Sequence, residues 1–290
     1  MEQISRKKMS IYLLFLVFVW GINWPLSKYA LSFSPPLLFA GLRTLGGGLI
    51  LMIFASNRVE MLKFKEMWPI YVTSSILNIV LFYGLQSVGL HYMPSGLFSA
   101  IVFLQPVLLG MFSWLWLGEK MHTLKALGLL LGFAGVAVMS SNGIRQGASI
   151  LGILLAFATA LSWTFGTIYI KKSWEKVDSI WLTAMQLTIG GIIMLGFGGR
   201  FESWSSIIWN RSFVYDTLFL SLFVIAMGWL IYFKLISTGD VSKIASYTFL
   251  IPFISILCSV FFLNERININ LIVGFLLVIS SIVFVNYKAT

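Results

Sequence analysis

The chain contains little charge, one cysteine and few histidines. Cys258 is the single cysteine among 290 residues, and the two histidines are His91 and His122. One cysteine excludes a disulfide framework within the chain and any multi-cysteine metal site, and the two histidines form no ligand cluster. We therefore expect no metal and no cofactor. Charged residues make up 10% of the chain, against about 25% in soluble domains, so the chain has too few charges to cover a surface that faces water.

Apolar residues dominate the composition instead. The chain is 59% hydrophobic and has a mean hydropathy of +0.92. Apolar windows of about 20 residues are long enough to cross a bilayer, and the loops between them are too short to hold a soluble domain. The sequence predicts an all-α membrane protein with ten transmembrane helices, at 9–31, 35–55, 68–90, 94–117, 122–140, 149–171, 178–198, 213–236, 241–264 and 268–287.

The basic residues set the expected orientation. The net charge of +10 lies in short loops, where it fits lipid headgroups and the positive-inside rule. No basic segment is long enough to form a nucleic-acid groove. Most Lys and Arg residues fall on the side of the N-terminus, which carries Arg6, Lys7 and Lys8 ahead of an uncleaved first helix. We expect a multi-pass protein of a prokaryotic inner membrane, with both termini cytoplasmic and with lipid and a small-molecule substrate as partners.

Two stretches of the chain share one pattern at a distance of 146 residues: a proline, a glutamate followed by a basic residue, and a glycine. Further pairs match at a distance of 143 residues. Each half holds five predicted spans, an odd number, so the second half enters the membrane from the opposite side. The sequence predicts an inverted repeat of two five-helix bundles, residues 1–144 and 145–290, which supplies both halves of a carrier in one monomer. The pairs are Pro106 and Pro252, Glu119 and Glu265, Gly128 and Gly274, Trp20 and Trp163, Lys28 and Lys171, and Arg43 and Gln186.

The first two predicted helices carry two distinctive segments, WGINWPLSK at 20–28 and PPLLFAGLR at 35–43. Together with the two proline-to-glutamate stretches, they resemble the EamA-type proteins of the drug/metabolite transporter superfamily. The resemblance covers both halves and implies a ten-helix inverted-repeat carrier of amino acids, other small metabolites or drugs, often moved outward. The second half departs from the pattern, since Gly166 stands at the position of Asn23 and Gln186 at that of Arg43.

The first helix carries a polar and aromatic stripe on one face. Trp20, Asn23, Trp24, Ser27 and Lys28 follow the helical spacing of three and four residues. Lipid cannot satisfy an amide or an ammonium group, so this face is expected to turn inward. One interpretation is a cavity wall, in which the asparagine bonds the substrate and the second tryptophan stacks on it. The alternative is interhelical packing, with the lysine reaching the outer interface.

Arg43 is the only charge placed well inside a predicted span. It lies roughly 12 Å into the second helix at 1.5 Å per residue, where an arginine costs about 2.5 to 3.5 kcal/mol even on the lower insertion scale. It must therefore face protein or water. It either holds a substrate carboxylate bidentately or has a structural role, capping backbone carbonyls or pairing with a distant glutamate. Its recurrence in proteins with differing substrates, which the resemblance implies, favours the structural role.

Polar and aromatic residues near the centres of other spans complete the predicted substrate site. Gln105 stands beside Pro106, where a proline frees backbone carbonyls. It either bonds substrate or re-satisfies those carbonyls. Pro106 and Pro252 are predicted to bend their helices, either as hinges for alternating access or as fixed curvature. Many of the aromatics have packing or interface roles as their alternative. The other candidates are Asn78, Tyr83, Gln86, Ser99, Trp163, Thr167, Trp229, Tyr232 and Tyr247.

These observations predict a carrier of small metabolites, foremost amino acids or related compounds, that exports or exchanges them by alternating access. A multidrug exporter and a non-transporting receptor are the alternatives; the first helix lacks the glutamate on which small multidrug exporters rely. The sequence has no paired aspartates, His-rich cluster or Ser-His arrangement, so we do not expect an enzyme. All ten carboxylates fall at predicted helix ends or in loops, which predicts a facilitator or exchanger rather than a proton antiporter.

Overall fold

The computed structural model describes residues 6–93, 95–139, 141, 149–263 and 269–287, and within these ranges it contains helices and no strand. Two of the long helices contain a π-helical segment, Ile76–Leu81 and Leu220–Met227. The α-helices are α1 (Arg6–Ala30), α2 (Pro36–Ala55), α3 (Phe64–Ser75), α4 (Phe82–Tyr92), α5 (Ser95–Val102), α6 (Gln105–Leu117), α7 (Thr123–Met139), α8 (Ile150–Ser173), α9 (Ser179–Phe201), α10 (Arg211–Phe219), α11 (Gly228–Thr238), α12 (Val241–Tyr247), α13 (Leu250–Leu263) and α14 (Ile269–Asn286).

Seven helical stretches within the described residues are long and apolar enough to cross a membrane, and three shorter apolar helices accompany them. Each of the ten overlaps one of the ten windows predicted from the sequence. The long stretches are Lys7–Ala30, Pro36–Met61, Phe64–Tyr92, Leu97–Leu117, Ile150–Lys176, Ser179–Phe201 and Arg211–Thr238, and the shorter helices are Thr123–Val138, Val241–Ser255 and Ile272–Asn286.

Two predicted helices are interrupted ahead of their prolines. Residues 103–104 separate α5 from α6, and residues 248–249 separate α12 from α13. Pro106 is the second residue of α6 and Pro252 the third of α13. A proline ring clashes with the carbonyl four residues earlier and offers no N–H, so the helix breaks on the N-terminal side, and the proline fits the first turn of the next helix. Each interruption therefore precedes its proline, whereas the sequence predicted a bend at the proline itself.

The two π-helical segments free backbone carbonyls. A π turn widens the hydrogen-bond ladder and often occurs at functional sites. Ser162 Oγ of α8 donates to the carbonyl of Leu77 in the first segment. Trp20 Nε1 of α1 donates to the carbonyl of Val224 in the second, at 3.1 Å. One carbonyl of each segment is therefore bonded by a side chain from a distant helix.

Glycines bring α2 and α9 into direct backbone contact. A Cβ atom at Gly48 would lie 2.6 Å from the backbone nitrogen of Thr188, and one at Gly191 would lie 2.6 Å from that of Leu45. Small residues at such crossings let membrane helices approach closely. These glycines therefore allow the two helix backbones to touch.

A second glycine seam joins α7 to α14. A Cβ atom at Gly128 would lie 3.0 Å from the carbonyl oxygen of Ser281, and one at Gly135 would lie 2.7 Å from that of Gly274. In each seam a glycine of the first half contacts a helix of the second half, and that facing helix contributes a glycine of its own to the contact. Gly132 of α7 belongs to the same seam, since an added Cβ there would lie 2.5 Å from Ser281 Oγ of α14.

Candidate functional site

A small buried cavity lies where the interrupted helices and the second π-helical segment meet. Its volume is about 20 Å³, room for about one water molecule. Phe103, in the break between α5 and α6, and Ile251, beside Pro252, bring both interruptions to its wall. The lining residues are Trp20, Asn23, Trp24, Phe82, Tyr83, Phe103, Trp163, Val224, Trp229 and Ile251.

Aromatic rings from four helices form most of the wall. The ring of Trp20 lies 5.6 Å from Trp163, 5.6 Å from Trp229 and 5.1 Å from Tyr232, centroid to centroid. Trp229 Nε1 donates to the hydroxyl oxygen of Tyr83 at 2.6 Å. Such a ring cluster offers apolar surface and negative ring faces that attract a cation. It suits a small amphipathic molecule.

A fully buried arginine lies behind the asparagine of the wall. Arg43 Nη1 donates to Ser27 Oγ at 2.6 Å and to Asn23 Oδ1 at 3.3 Å. Nη2 donates to Gln86 Oε1 at 3.3 Å and to Ser87 Oγ at 3.4 Å. These acceptors are neutral and come from α1 and α4. Among the described residues the guanidinium bonds no backbone carbonyl and pairs with no glutamate, the two structural roles considered from the sequence.

Two rings sandwich the same guanidinium. Arg43 Cζ lies 4.6 Å from the ring centroid of Phe39 and 4.7 Å from that of Tyr83. Tyr83 also lines the cavity, so the charge sits one ring behind the wall. An arginine can only donate, which makes the facing atom of Asn23 its oxygen and leaves its amide nitrogen as the donor for a ligand. Asn23 thus joins the buried charge to the cavity.

Three amides are buried with atoms that make no hydrogen bond to any described residue. Both amide atoms of Gln105, Gln186 and Asn78 are in this state. Gln105 lies close to the Tyr232 hydroxyl but does not bond the carbonyls freed at the break. Asn78 packs against Gly166, where an added Cβ would lie 2.1 Å from its Oδ1. An amide from the first half thus occupies the space beside the glycine matched to Asn23.

The remaining predicted site residues lie at different distances from the cavity. Thr167 contacts the Tyr232 hydroxyl at 3.4 Å behind the ring cluster. Ser99 is buried, and its carbonyl accepts from Phe103 N at 2.8 Å. Tyr247 is half-buried on α12, and neither Ser99 nor Tyr247 lines the cavity. Sequence reasoning missed the apolar wall residues Phe82, Phe103, Val224 and Ile251, because they do not stand out in a chain with so many apolar residues.

Lysines cap the C-terminal ends of two helices. Lys28 donates to the carbonyl of Leu90 at the end of α4. Lys171 donates to the carbonyls of Ile236 at 2.7 Å and Ser237 at 3.1 Å, in the last turn of α11, and to that of Gly239 at 3.0 Å, just after the helix. A cation at a helix C-terminus satisfies free carbonyls and complements the helix dipole. Lys28 is exposed, in agreement with the interfacial role weighed against a cavity role.

An ion cluster joins three elements at the start of α12. Glu119 accepts from the backbone nitrogen of Val241 at 2.6 Å and from Ser242 Oγ at 2.6 Å. Lys125 Nζ lies 3.1 Å from Glu119 Oε2 and 3.2 Å from Asp240 Oδ1. Burial alone would raise the pKa of Asp240, but the neighbouring Glu119 side chain, the Lys125 charge and a backbone N–H hold that pKa below its ordinary value. The glutamate predicted to mark a helix end therefore caps another helix, while its counterpart Glu265 lies outside the described residues.

One carboxylate departs from the expectation that all ten lie at helix ends or in loops. Asp216 is the sixth residue of the long apolar stretch Arg211–Thr238 and is buried. Neither of its carboxylate oxygens has a hydrogen-bond partner. Sequence reasoning placed it near an end because the apolar run was taken to begin at residue 213. Because Asp216 falls in the first turn of the predicted span 213–236, the sequence did not indicate that it is buried.

The chain has many relatives among known proteins. The model of the EamA-like transporter family matches residues 7–141 and again residues 150–287. Over 289 residues the chain is 56% identical to the uncharacterized transporter YvbV of Bacillus subtilis (strain 168), covering 100% of this chain and 95% of that one. It is 24% identical over 302 residues to a probable amino-acid metabolite efflux pump of Escherichia coli (strain K12), covering 96% and 94%. A crystal structure at 19% identity matches with a TM-score of 0.83 and 97% coverage of both chains, which shows a shared fold.

Proposed function

The chain belongs to the EamA-like transporter family and is a multi-pass membrane transporter; on that premise we propose that it exports or exchanges amino acids or related small metabolites by alternating access. The observation that carries this proposal is the cavity itself. It lies where two interrupted helices meet, and a buried guanidinium stands behind an aromatic wall. The relative described as a probable amino-acid metabolite efflux pump supports the same substrate class.

The proposal includes ten transmembrane helices in two inverted five-helix repeats, residues 1–144 and 145–290. The two family matches fall one in each half. Paired features at the distances found in the sequence support the repeat. The lysine caps on Leu90 and Ile236, the two π-helical segments and the two helix breaks all recur about 146 residues apart.

The chemistry of the wall suits a zwitterion with an apolar side chain. Asn23 and, behind it, Arg43 provide donors and positive charge for a carboxylate. The faces of Trp20, Trp163 and Trp229 provide an environment for an ammonium or an apolar side chain. Gln105 and Tyr232 lie close behind this cluster and are proposed to bond the substrate once the cavity widens.

Movement follows from the size of the cavity. Ligand pockets usually measure about 300–1,000 Å³, whereas this one measures about 20 Å³. The walls must therefore separate to admit an amino acid. We assign this movement to the breaks before Pro106 and Pro252, because short, discontinuous helices at matched positions can rock one bundle against the other.

The proposal also places the transporter in a prokaryotic inner membrane, with both termini cytoplasmic. One chain suffices for transport.

The test is counterflow in proteoliposomes that hold the purified monomer. Vesicles loaded in turn with amino acids, organic acids, nucleosides and sugars are given a trace of the same labelled compound outside. We expect transient accumulation with one or more amino acids. Binding without accumulation would instead identify a receptor, and counterflow restricted to large hydrophobic cations would identify a multidrug carrier.

A pair of variants checks the site with the substrate so identified. Asn23→Ala removes the amide between the cavity and Arg43, and we expect a loss of about tenfold or more in the counterflow rate, the value of one or two charge-linked hydrogen bonds. Asn286→Ala removes an amide on α14, which bonds Ser246 and Ile282 away from the cavity. Equal rates for the two variants would refute the assigned site.

A further inference from the structure

Asp216 carries a carboxyl group inside an apolar span, and no described residue hydrogen-bonds it. It lies about 8 Å from the start of the span Arg211–Thr238 at 1.5 Å per residue. The residue is 8% exposed, and both its oxygens lack a hydrogen-bond partner. The hydroxyl of Thr217 beside it is also unbonded. A buried polar group in this state is rare in proteins and needs a physical explanation.

The buried guanidinium lies on a helix that packs against the helix of Asp216. Its helix, α10, packs against α1, α2 and the second π-helical segment. Arg43 is the one charged side chain of α2, and its terminal nitrogens bond neutral side chains. Phe39 lies between the two helices, with its centroid 4.6 Å from Arg43 Cζ and 6.3 Å from the ring of Phe213, one turn before Asp216.

The titratable groups in the last turn of α1 and those of α10 are directed elsewhere. Lys28 of α1 bonds the carbonyl of Leu90, and Tyr29 packs on Phe33 at the exposed side. Arg211 and Tyr215 of α10 itself are exposed. The segment Leu220–Met227 carries no titratable side chain. Arg43 is therefore the counter-ion available to Asp216.

An isolated carboxylate in such surroundings is unfavourable by several kcal/mol. Two arrangements relieve this penalty: the carboxyl binds a proton, or it stays ionised with Arg43 as its counter-ion. Arg43 has a free donor for a new partner, because its Nε is buried without a hydrogen bond. An anion that binds at Arg43 would compete with Asp216 for the same charge.

We propose that Asp216 is a proton-binding site within the membrane, and that its proton is linked to an anionic group bound at Arg43. At a pH high enough for the unliganded chain to have released this proton, a carboxylate that takes the charge of Arg43 causes Asp216 to take one proton from water. When the carboxylate leaves, that O–H bond breaks and the proton returns to water. The proton site stands on the geometry alone, whereas the link to a substrate carboxylate rests on the proposed function. Transport of the carboxylate would then depend on a proton moved with it, in contrast to the facilitator expected from the sequence.

The composition of the chain allows a direct test. It contains three aspartates, Asp178, Asp216 and Asp240. Asp178 accepts hydrogen bonds from two backbone N–H groups, and Asp240 pairs with Lys125. Infrared difference spectra of the full chain labelled with carboxyl-¹³C aspartate separate the aspartyl bands from those of glutamate. We expect the unmodified chain to show a protonated aspartyl C=O band at about pH 6, where an ordinary aspartate is ionised.

Two variants assign the band, and a ligand tests the link. Asp216→Asn should remove the band, and Asp240→Asn should retain it. The amino acid found by counterflow should extend the band to higher pH, by about one unit for a tenfold gain in proton affinity. Absence of the band from the unmodified chain, or its survival in Asp216→Asn, would overturn the proton site. A band that the amino acid leaves unmoved would overturn the link alone, and a failed counterflow screen would leave the proton site intact.

Discussion

The two halves of the molecule differ most at the positions that surround Arg43. In the first half these positions hold an interconnected set of charged and polar groups. In the second half each matched position holds glycine, an aliphatic or aromatic side chain, or an unbonded amide. The matched pairs are Asn23 and Gly166, Ser27 and Ile170, Arg43 and Gln186, Gln86 and Tyr232, and Ser87 and Phe233.

The comparison distinguishes the structural features that both halves have from the side chains that only one half has. Both carry a lysine cap, a π-helical segment and a broken helix with a proline after the break. A second arginine at Gln186 would add another buried charge, which membrane interiors disfavour. The shared backbone features therefore fit movement, and the unshared side chains fit recognition. A ligand meets charge on one side of the cavity and aromatic rings on the other.

The largest expected effect on transport comes from replacing Arg43 by glutamine, the residue at the matched position of the second half. Arg43→Gln removes the guanidinium and leaves the oxygens of Asn23, Ser27 and Gln86 without their charged donor. We expect the counterflow rate to fall by about 10- to 100-fold, the equivalent of one charge-assisted hydrogen bond of about 1.5–3 kcal/mol. The rate is measured in proteoliposomes with the substrate found by screening.

The matched control alters the other half. Gln186→Leu replaces an amide whose atoms make no hydrogen bond to a described residue. We therefore expect the free energy of unfolding to stay the same or to rise by up to about 1–3 kcal/mol. The counterflow rate should stay within about twofold of that of the unmodified chain. If Gln186→Leu abolished transport while Arg43→Gln did not, the polar half would not be the recognition half.

The glycine seam should respond equally in both halves. An added methyl group at Gly48 or Gly191 would meet backbone atoms at 2.6 Å, which forces α2 and α9 apart. We expect Gly48→Ala and Gly191→Ala each to lower the free energy of unfolding by about 1–3 kcal/mol. Gly196→Ala on α9 is the control, because nothing lies within 4 Å of its added Cβ. Unequal losses at the two seam positions would contradict the shared scaffold.

The lysine caps should show a smaller difference. Lys171 bonds three carbonyls, and Lys28 bonds one. Lys171→Met should therefore lower the unfolding free energy by about 1–2 kcal/mol more than Lys28→Met, since each lost bond is worth about 1 kcal/mol or less. Urea unfolding in detergent measures the difference. A larger loss in Lys28→Met would mean that the interfacial lysine carries more of the scaffold than its single bond indicates.

The helical architecture was accessible from the sequence because membrane burial imposes it. Long apolar windows must become helices to satisfy their backbone groups, and the described helices begin and end within a few residues of the predicted windows. The prolines at Pro106 and Pro252 also indicated where helices change direction. The position of each break was less predictable, since the steric conflict falls on residues ahead of the proline.

The candidate site was accessible only in part. Asn23 and Arg43 stand out because lipid penalises their side chains, and the structure joins them directly. The apolar wall residues Phe82 and Phe103 gave no such signal. The burial of Asp216 depends on how α10 packs against α1 and α2, a tertiary contact that no local pattern encodes. Polarity against an apolar background thus identifies the charged groups of a membrane site but not the wall around them.

The smallest expected difference concerns the paired tryptophans of the cavity. Trp20 Nε1 donates to the carbonyl freed at Val224, whereas Trp163 Nε1 makes no hydrogen bond of good geometry. Replacement by phenylalanine keeps a ring and removes the N–H. Trp20→Phe should therefore lower the free energy of unfolding by about 1 kcal/mol more than Trp163→Phe, the net value of one hydrogen bond. Equal losses in the two variants would show that ring packing, rather than the bond to the π-helical segment, determines the stability of this wall.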